Sequence, residues 1–202
     1  MKPLRQEDLH KNPLVQFGRW FDEAKRTLGI TYPNACCLST VDPDGSPNGR
    51  MVLLKQVSED GFTFFTNLNS TKGRSITTTP KAALTFYWDQ LRRQIRIQGD
   101  VRSASEADSD EYFRSRTRES QIGAWASAQS EMLVSRAELE TRVEQFTEKF
   151  EDQDVPRPPH WQGFVIIPRR IEFWQERPAR LHDRFQYFLG STNKWDLCRL
   201  NP

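Results

Sequence analysis

The sequence predicts a mainly β protein with a few peripheral helices, its mostly antiparallel strands wound into a closed or partly closed barrel. Three observations carry that expectation. Apolar and aromatic residues alternate with polar ones over short runs such as Gly61-Phe62-Thr63-Phe64-Phe65-Thr66, the period of a half-buried strand. A turn signal, Asp42-Pro43-Asp44-Gly45, joins neighbouring runs as a hairpin. Helical stretches are few and interrupt the strands.

In chain order, residues 1–12 are expected to form a flexible N-terminal arm. Asn12-Pro13 then opens an amphipathic helix with Val15, Phe17, Trp20, Phe21, Ala24 and Leu28 on its apolar side. Strands follow near 35–41, 49–57 and 61–66. Asn67 to Ser70 make a turn and a helix N-cap, with Thr71 and Lys72 in the first helical turn. Strands near 81–88 and 92–102 precede helices near 105–115 and 134–150. Strands near 163–175, 181–189 and 194–200 complete the chain. Asp154 to His160, with three prolines, is a stiff connector too short to separate domains, so residues 1–202 are expected to be one domain. Glu138 to Glu151 is charge-rich at helical spacing and reads as a solvated face.

Composition narrows the class of function without naming it. A chain of 202 residues with 36% hydrophobic content can bury one sizeable core, and no apolar run approaches membrane-span length. The net charge of +2 balances 29 basic against 27 acidic residues, too even to make a nucleic-acid surface. Cys36, Cys37 and Cys198 have no metal-ligand spacing and favour a reducing compartment. The N-terminus lacks an apolar signal region, so a soluble, cytoplasmic protein is expected, with neither membrane nor nucleic acid as partner.

Two basic constellations point to chemistry. Arg180-Leu181-His182-Asp183-Arg184 follows the aromatic run ending in Trp174. As a strand it sends Arg180, His182 and Arg184 to one face, which suits an anion or an electron-rich ring, although a solvated edge hairpin has the same composition. Upstream, Arg50-Met51-Val52-Leu53-Leu54-Lys55 places a planar fork and a point charge at the ends of one strand, both common phosphate binders and both common as solvated caps. Lys72, at a helix N-terminus that disfavours cations, hints at a bound anion. Tyr112 and Arg116 are four apart, on one helical face.

These segments together resemble the pyridoxine/pyridoxamine 5'-phosphate oxidases. The resemblance is carried, in order, by Arg50 to Lys55, Phe65-Thr66-Asn67, Arg93-Gln94-Ile95-Arg96, Tyr112 to Arg116, Ser120 to Trp125, Gln129-Ser130, Ile171 to Gln175 and Arg180 to Arg184, and it spans about Pro13 to Pro202. It implies the FMN-binding split β-barrel, a Greek-key antiparallel barrel that forms a homodimer with two flavin sites at the subunit interface. By resemblance, FMN is held by Arg50, Met51, Val52, Leu53, Leu54, Lys55, Phe65, Thr66, Thr71, Lys72, Gln94, Gln129, Ser130, Trp174 and Arg184. The substrate phosphate falls to Lys55, Tyr112, Arg116 and Ser120. Arg180, Leu181 and His182 cover the substrate ring, with Arg180 and His182 as the catalytic pair.

The implied reaction is oxidation of pyridoxine 5'-phosphate or pyridoxamine 5'-phosphate to pyridoxal 5'-phosphate, with oxygen reduced to hydrogen peroxide. Two positions depart from the family pattern: Thr71 stands where arginine is common, and Thr117 where proline is usual. The alternatives are a split-barrel reductase for another substrate and a non-enzymatic carrier of flavin or pyridoxal phosphate.

Overall fold

A computed structural model describes residues 2–202. The first helix, α1 (Pro13–Arg26), starts where Asn12 accepts the Leu14 amide at 2.8 Å and Pro13 occupies the first turn, both good helix starters. Phe17, Trp20 and Ala24 are buried. Phe17 meets Phe62 and Phe86 edge-on at 4.9 and 5.3 Å, and Trp20 meets Phe173 at 5.1 Å. Val15 and Leu28 are exposed, so the apolar face is narrower than the sequence pattern suggests: Leu28 lies beyond the helix end.

The strands and remaining helices follow in order: β1 (Ala35–Val41), β2 (Pro47–Leu53), β3 (Gln56–Ser58), β4 (Gly61–Asn67), α2 (Thr71–Thr78), β5 (Lys81–Trp88), β6 (Arg93–Ser103), α3 (Glu106–Arg114), α4 (Arg118–Ala126), α5 (Arg136–Lys149), β7 (Trp161–Gln175), β8 (Asp183–Leu189) and β9 (Trp195–Arg199). All nine strands join one antiparallel sheet, ordered β2-β1-β5-β6-β7-β4-β3, with β8 and β9 added on β7. The end strands of that path, β2 and β3, are linked through Leu54 and Lys55 alone. Neighbouring strands lie about 4.8 Å apart, so this short link forces the two edges together and rolls the sheet into a barrel split between them.

The long β7 is the spine. Its first half pairs with β4, its second half with β8, and β6 runs along both. The β6–β7 register shifts between Gln98 and Gly99, where a Cβ on Gly99 would come within 2.0 Å of the Ile167 carbonyl oxygen. Only glycine fits that bulge. Two apolar clusters result: one inside the barrel, including Leu38, Leu84, Phe86, Ile97, Ile171 and Phe173, and one under α3 to α5, built on Phe113, Ile122, Phe150 and Trp161.

Several sequence expectations are corrected here. Residues 49–57 are not one strand: the Leu54 amide donates to the Asn34 carbonyl at 2.8 Å while Asn34 Nδ2 donates to the Leu54 carbonyl at 3.1 Å, and this clamp ends β2. The segment 118–126 is a helix that the apolar periodicity did not reveal. Its cap is Thr117, whose hydroxyl accepts the Ser120 amide at 3.4 Å. Residues 2–12 are not a free arm. Leu4 and Leu9 are buried, the Leu4 amide reaches Asp183 Oδ2 at 3.1 Å, and Gln175 Nε2 donates to the Lys2 carbonyl at 2.7 Å.

Candidate active site

The first turn of α2, the ends of β2 and β4, and the α3–α4 corner line a cavity of about 750 Å³, within the range of small-molecule sites. Of the residues expected at the site, Met51, Val52, Leu53, Lys55, Phe65, Thr66, Lys72, Tyr112, Arg116, Ser120 and Gln129 line it.

Aromatic packing builds one wall. The Phe65 ring stacks on Tyr112 at 4.2 Å and on Trp161 at 5.1 Å, with interplanar angles of 15° and 7°. Arg116 lies over this platform, its guanidinium carbon 5.1 Å from the Trp161 ring centre and 5.5 Å from that of Phe113, within cation–π range. Lys55 Nζ is 5.5 Å from the Tyr112 ring centre. The sequence reading missed Trp161, which carries Arg116. Its only sequence signal is the aromatic start of the strand pattern after the proline-rich connector.

Tyr112 and Arg116 do not share a helical face. Helix α3 ends at Arg114, the Arg116 amide turns back to the Phe113 carbonyl at 3.2 Å, and Thr117 starts a new helix. The corner between the helices still brings both side chains, with Ser120, into one cavity. Thr117 acts as a cap and also donates to Ser120 Oγ at 3.1 Å.

The cavity's electrostatics are one-sided. Burial holds the Arg116 guanidinium below its ordinary proton affinity, partly offset by Tyr112. Lys72 is lowered by burial and then by Arg50, and Arg50 is lowered by burial against the pull of Asp42 and Cys37. Lys72 Nζ donates to Gln129 Oε1 at 2.9 Å and Ser70 Oγ at 3.3 Å. Arg50 does not line the cavity and is tied back by Nη1 to Thr40 Oγ1 at 2.8 Å and the Leu38 carbonyl at 3.2 Å. Arg116 Nη1 is the one buried side-chain nitrogen or oxygen among the described residues with no hydrogen-bond partner, a costly state unless a ligand supplies an acceptor. Clustered, partly desolvated cations with an orphaned donor suit a phosphate monoester, so the residues present fit phosphate-bearing ligands.

The other expected residues lie elsewhere. Leu54 is core, Thr71 occupies the first position of α2, and Ser130 sits at φ 72° in the loop after α4. Gln94, Trp174 and Arg184 face one another across β6, β7 and β8 as a single rung. Arg184 Nε donates to Glu172 Oε1 at 2.8 Å. The Arg180–Arg184 stretch is not a continuous strand: Pro178–Arg180 is a 3-10 turn with Ala179 and Arg180 at φ 54° and 62°, and β8 begins at Asp183. Arg180 and Leu181 are therefore exposed on a turn and do not alternate along a strand. The His182 ring lies 4.6 Å from that of Trp174, and its Nδ1 accepts the Arg177 amide at 3.2 Å.

Trp161, under the cavity, and Trp174, on the rung, belong to the same strand. At roughly 3.3 Å per residue they are separated by about 40 Å of extended chain. In one copy of the chain the cavity and the rung thus lie near opposite ends of β7.

Residues 21–150 match the family model described as pyridoxamine 5'-phosphate oxidase, and residues 161–202 match that of the pyridoxine 5'-phosphate oxidase C-terminal dimerisation region. The chain is 48% identical over 202 residues to a pyridoxine/pyridoxamine 5'-phosphate oxidase from Nostoc sp., covering 100% of this chain and 94% of that one. It is 52% identical over 195 residues to pyridoxine/pyridoxamine 5'-phosphate oxidase 1 from Ralstonia nicotianae, covering 96% and 91%. Among solved structures, PhzG from Burkholderia lata in complex with tetrahydrophenazine-1-carboxylic acid superimposes with a TM-score of 0.92 at 28% identity, covering 100% of this chain and 99% of that one. A pyridoxamine 5'-phosphate oxidase-related, FMN-binding protein from Nostoc punctiforme shares the fold at a TM-score of 0.74 and 19% identity, covering 95% and 98%. With both family models matched and relatives of about half identity along the whole chain, the protein belongs to the pyridoxine/pyridoxamine 5'-phosphate oxidase family of oxidoreductases.

Proposed function

We propose that this single-domain chain is a cytoplasmic, FMN-dependent oxidase that converts pyridoxamine 5'-phosphate or pyridoxine 5'-phosphate to pyridoxal 5'-phosphate and reduces oxygen to hydrogen peroxide. The observation that carries the reading is the unpartnered Arg116 Nη1, held over Trp161 in a cavity shared with Lys55, Tyr112 and Ser120. That set offers two cations and two hydroxyls to one phosphate. Remote binding energy of this kind fixes a reacting carbon elsewhere on the substrate.

FMN would be held by Arg50 to Lys55, Phe65, Thr66, Lys72, Gln129 and Ser130 on one side, and by Gln94, Trp174 and Arg184 on the other; Thr71 stands beside Lys72. When bound, FMN supplies the two-electron acceptor for the hydride leaving the substrate's C4' carbon. Because one chain holds the two groups of residues near opposite ends of β7, we assign the complete site to a homodimer, in which the rung of one copy closes the cavity of the other. The family name of residues 161–202 as a dimerisation region supports this.

Arg180, on its exposed left-handed turn, is assigned to orienting the substrate and assisting proton removal, with Leu181 beside it. His182 closes the ring pocket. Since its Nδ1 accepts the Arg177 amide, the neutral ring carries its proton on Nε2 and presents a donor there.

The test is peroxide release on adding pyridoxamine 5'-phosphate to FMN-loaded protein. Stoichiometric peroxide and pyridoxal 5'-phosphate support the oxidase. Binding without turnover would identify a carrier, and flavin reduction by an unrelated substrate only would identify a different split-barrel enzyme.

A further inference from the structure

Glu172 belongs to the Ile171–Gln175 run, of which the proposed function uses only Trp174. It is a buried carboxylate, 6% exposed, and such a group is retained where cations hold it. Its Oε1 accepts from Arg184 Nε at 2.8 Å, and its Oε2 lies 3.5 Å from Arg96 Nη1. Strand register explains the meeting. Arg96, Glu172 and Gln186 form a rung across β6, β7 and β8, two residues along from the rung of Gln94, Trp174 and Arg184, so both rungs project from one face of the sheet. Arg184 leans across from its own rung to reach the carboxylate on the next.

The second anchor of Arg184 is the Asn201 carbonyl, which accepts from Nη1 at 2.9 Å. Glu172 and Asn201 therefore fix two of the three guanidinium nitrogens, and Nη2 is the one left to address a ligand beside Trp174. The hydrogen bond that Arg184 donates to Glu172 also raises the proton affinity of Arg184.

We propose that Glu172 is a positioning residue for the cofactor: by holding Arg184 at Nε it sets the direction in which the guanidinium meets FMN. This rests on the reading of Arg184 as a contact of FMN. A merely structural Glu172, tying β6, β7 and β8 together through Arg96 and Arg184, would support folding without tuning any one contact.

A double-mutant cycle separates the two, because coupling between groups acting through one another appears as non-additivity. The full-length protein is loaded with FMN, and its dissociation constant is measured from flavin fluorescence on dilution for wild type, Glu172→Gln, Arg184→Ala and the double variant. The expected result is weakening by about tenfold for Glu172→Gln, the order of one hydrogen bond to a charged group, and by less than about twofold when the same change is made in Arg184→Ala. Equal weakening in both backgrounds, or none in the first, would overturn the proposal. An Arg184→Ala variant with unchanged FMN affinity would instead remove the underlying reading of Arg184, and the proposal with it. Should Glu172→Gln fail to fold, Glu172→Asp, which keeps the charge but moves the anchor, is taken through the same cycle. Weakening that vanishes in the Arg184→Ala background then supports the proposal, and equal weakening in both, or none, overturns it.

Discussion

Phe65 stacks on Tyr112 with ring centres 4.2 Å apart, and Gly163, its partner across β4 and β7, is what gives the ring room. A Cβ on Gly163 would lie 2.6 Å from Phe65 Cε1 and 2.9 Å from Ala104 Cβ. Gly163→Ala is therefore expected to destabilise the fold by about 1 to 3 kcal/mol, the cost of overpacking, and to loosen ligand binding by displacing Phe65. Denaturant melts with and without FMN check this. An unchanged melting midpoint would mean that the ring moves aside without strain.

Thr71 precedes Lys72 in the first turn of α2 but is not on the cavity wall. Thr71→Arg is expected to tighten FMN binding, with a ceiling of roughly 1.5 to 3 kcal/mol for a charge-assisted bond. The helix dipole opposes the added cation by only about 0.3 to 1 kcal/mol. The gain should shrink as salt rises. Titrating apo-protein with FMN at low and high salt reads both effects, and equal or weaker binding at low salt would show that position 71 does not reach the cofactor phosphate.

Arg180→Ala and His182→Ala are expected to keep FMN and lose turnover, since both lie in the turn before β8, away from the cation cluster around Lys72. Flavin content and turnover per bound flavin are measured separately. Loss of flavin with normal turnover per remaining flavin would reverse the assignment.

Alkaline pH should destabilise the fold in a predictable window. Burial pushes the Tyr187 hydroxyl from 10.0 up to about 12, and burial, then Cys37, pushes the Cys36 thiol from 9.0 to about 12, against a hydrogen bond from the Leu54 backbone. Both groups hold protons in the native state that the unfolded chain gives up first. Their contribution is complete below 9.0 and lost progressively as pH rises towards about 12. Tyr187→Phe removes one of the two and should flatten the decline above 10.0, whatever the absolute cost of losing its hydrogen bond to the His10 carbonyl. Denaturant midpoints across that window test the slope. A slope unaltered by the substitution would place the titration elsewhere.

Most strands were legible because their alternation is local: the strands expected near 35–41, 61–66 and 81–88 coincide with β1, β4 and β5 to within a residue. The break at Leu54 was not, since Asn34, twenty residues away in sequence, makes it. Helix α4 is only nine residues long, with a short apolar set of Ile122, Trp125 and Ala126, and its start is marked by the Thr117 cap. The turn at Ala179 and Arg180 was hidden because left-handed non-glycine residues carry no compositional mark. The resemblance names many of the residues that line the cavity, Lys55, Tyr112 and Arg116 among them, but not Trp161 or Ser127. That the cavity and the rung of Gln94, Trp174 and Arg184 lie near opposite ends of β7 is a matter of register, which no single motif contains.

The proposed function stands or falls with Arg116 as the clamp on a substrate phosphate, and kcat/KM for pyridoxamine 5'-phosphate and for unphosphorylated pyridoxamine, in wild type and in Arg116→Ala, reads that role. Losing one charge-assisted hydrogen bond should cost about 1.5 to 3 kcal/mol, or roughly ten- to 150-fold, on the phosphorylated substrate. The unphosphorylated one should be unaffected and flavin content should be unchanged. Equal losses on both substrates, or none on either, would show that Arg116 does not hold the phosphate.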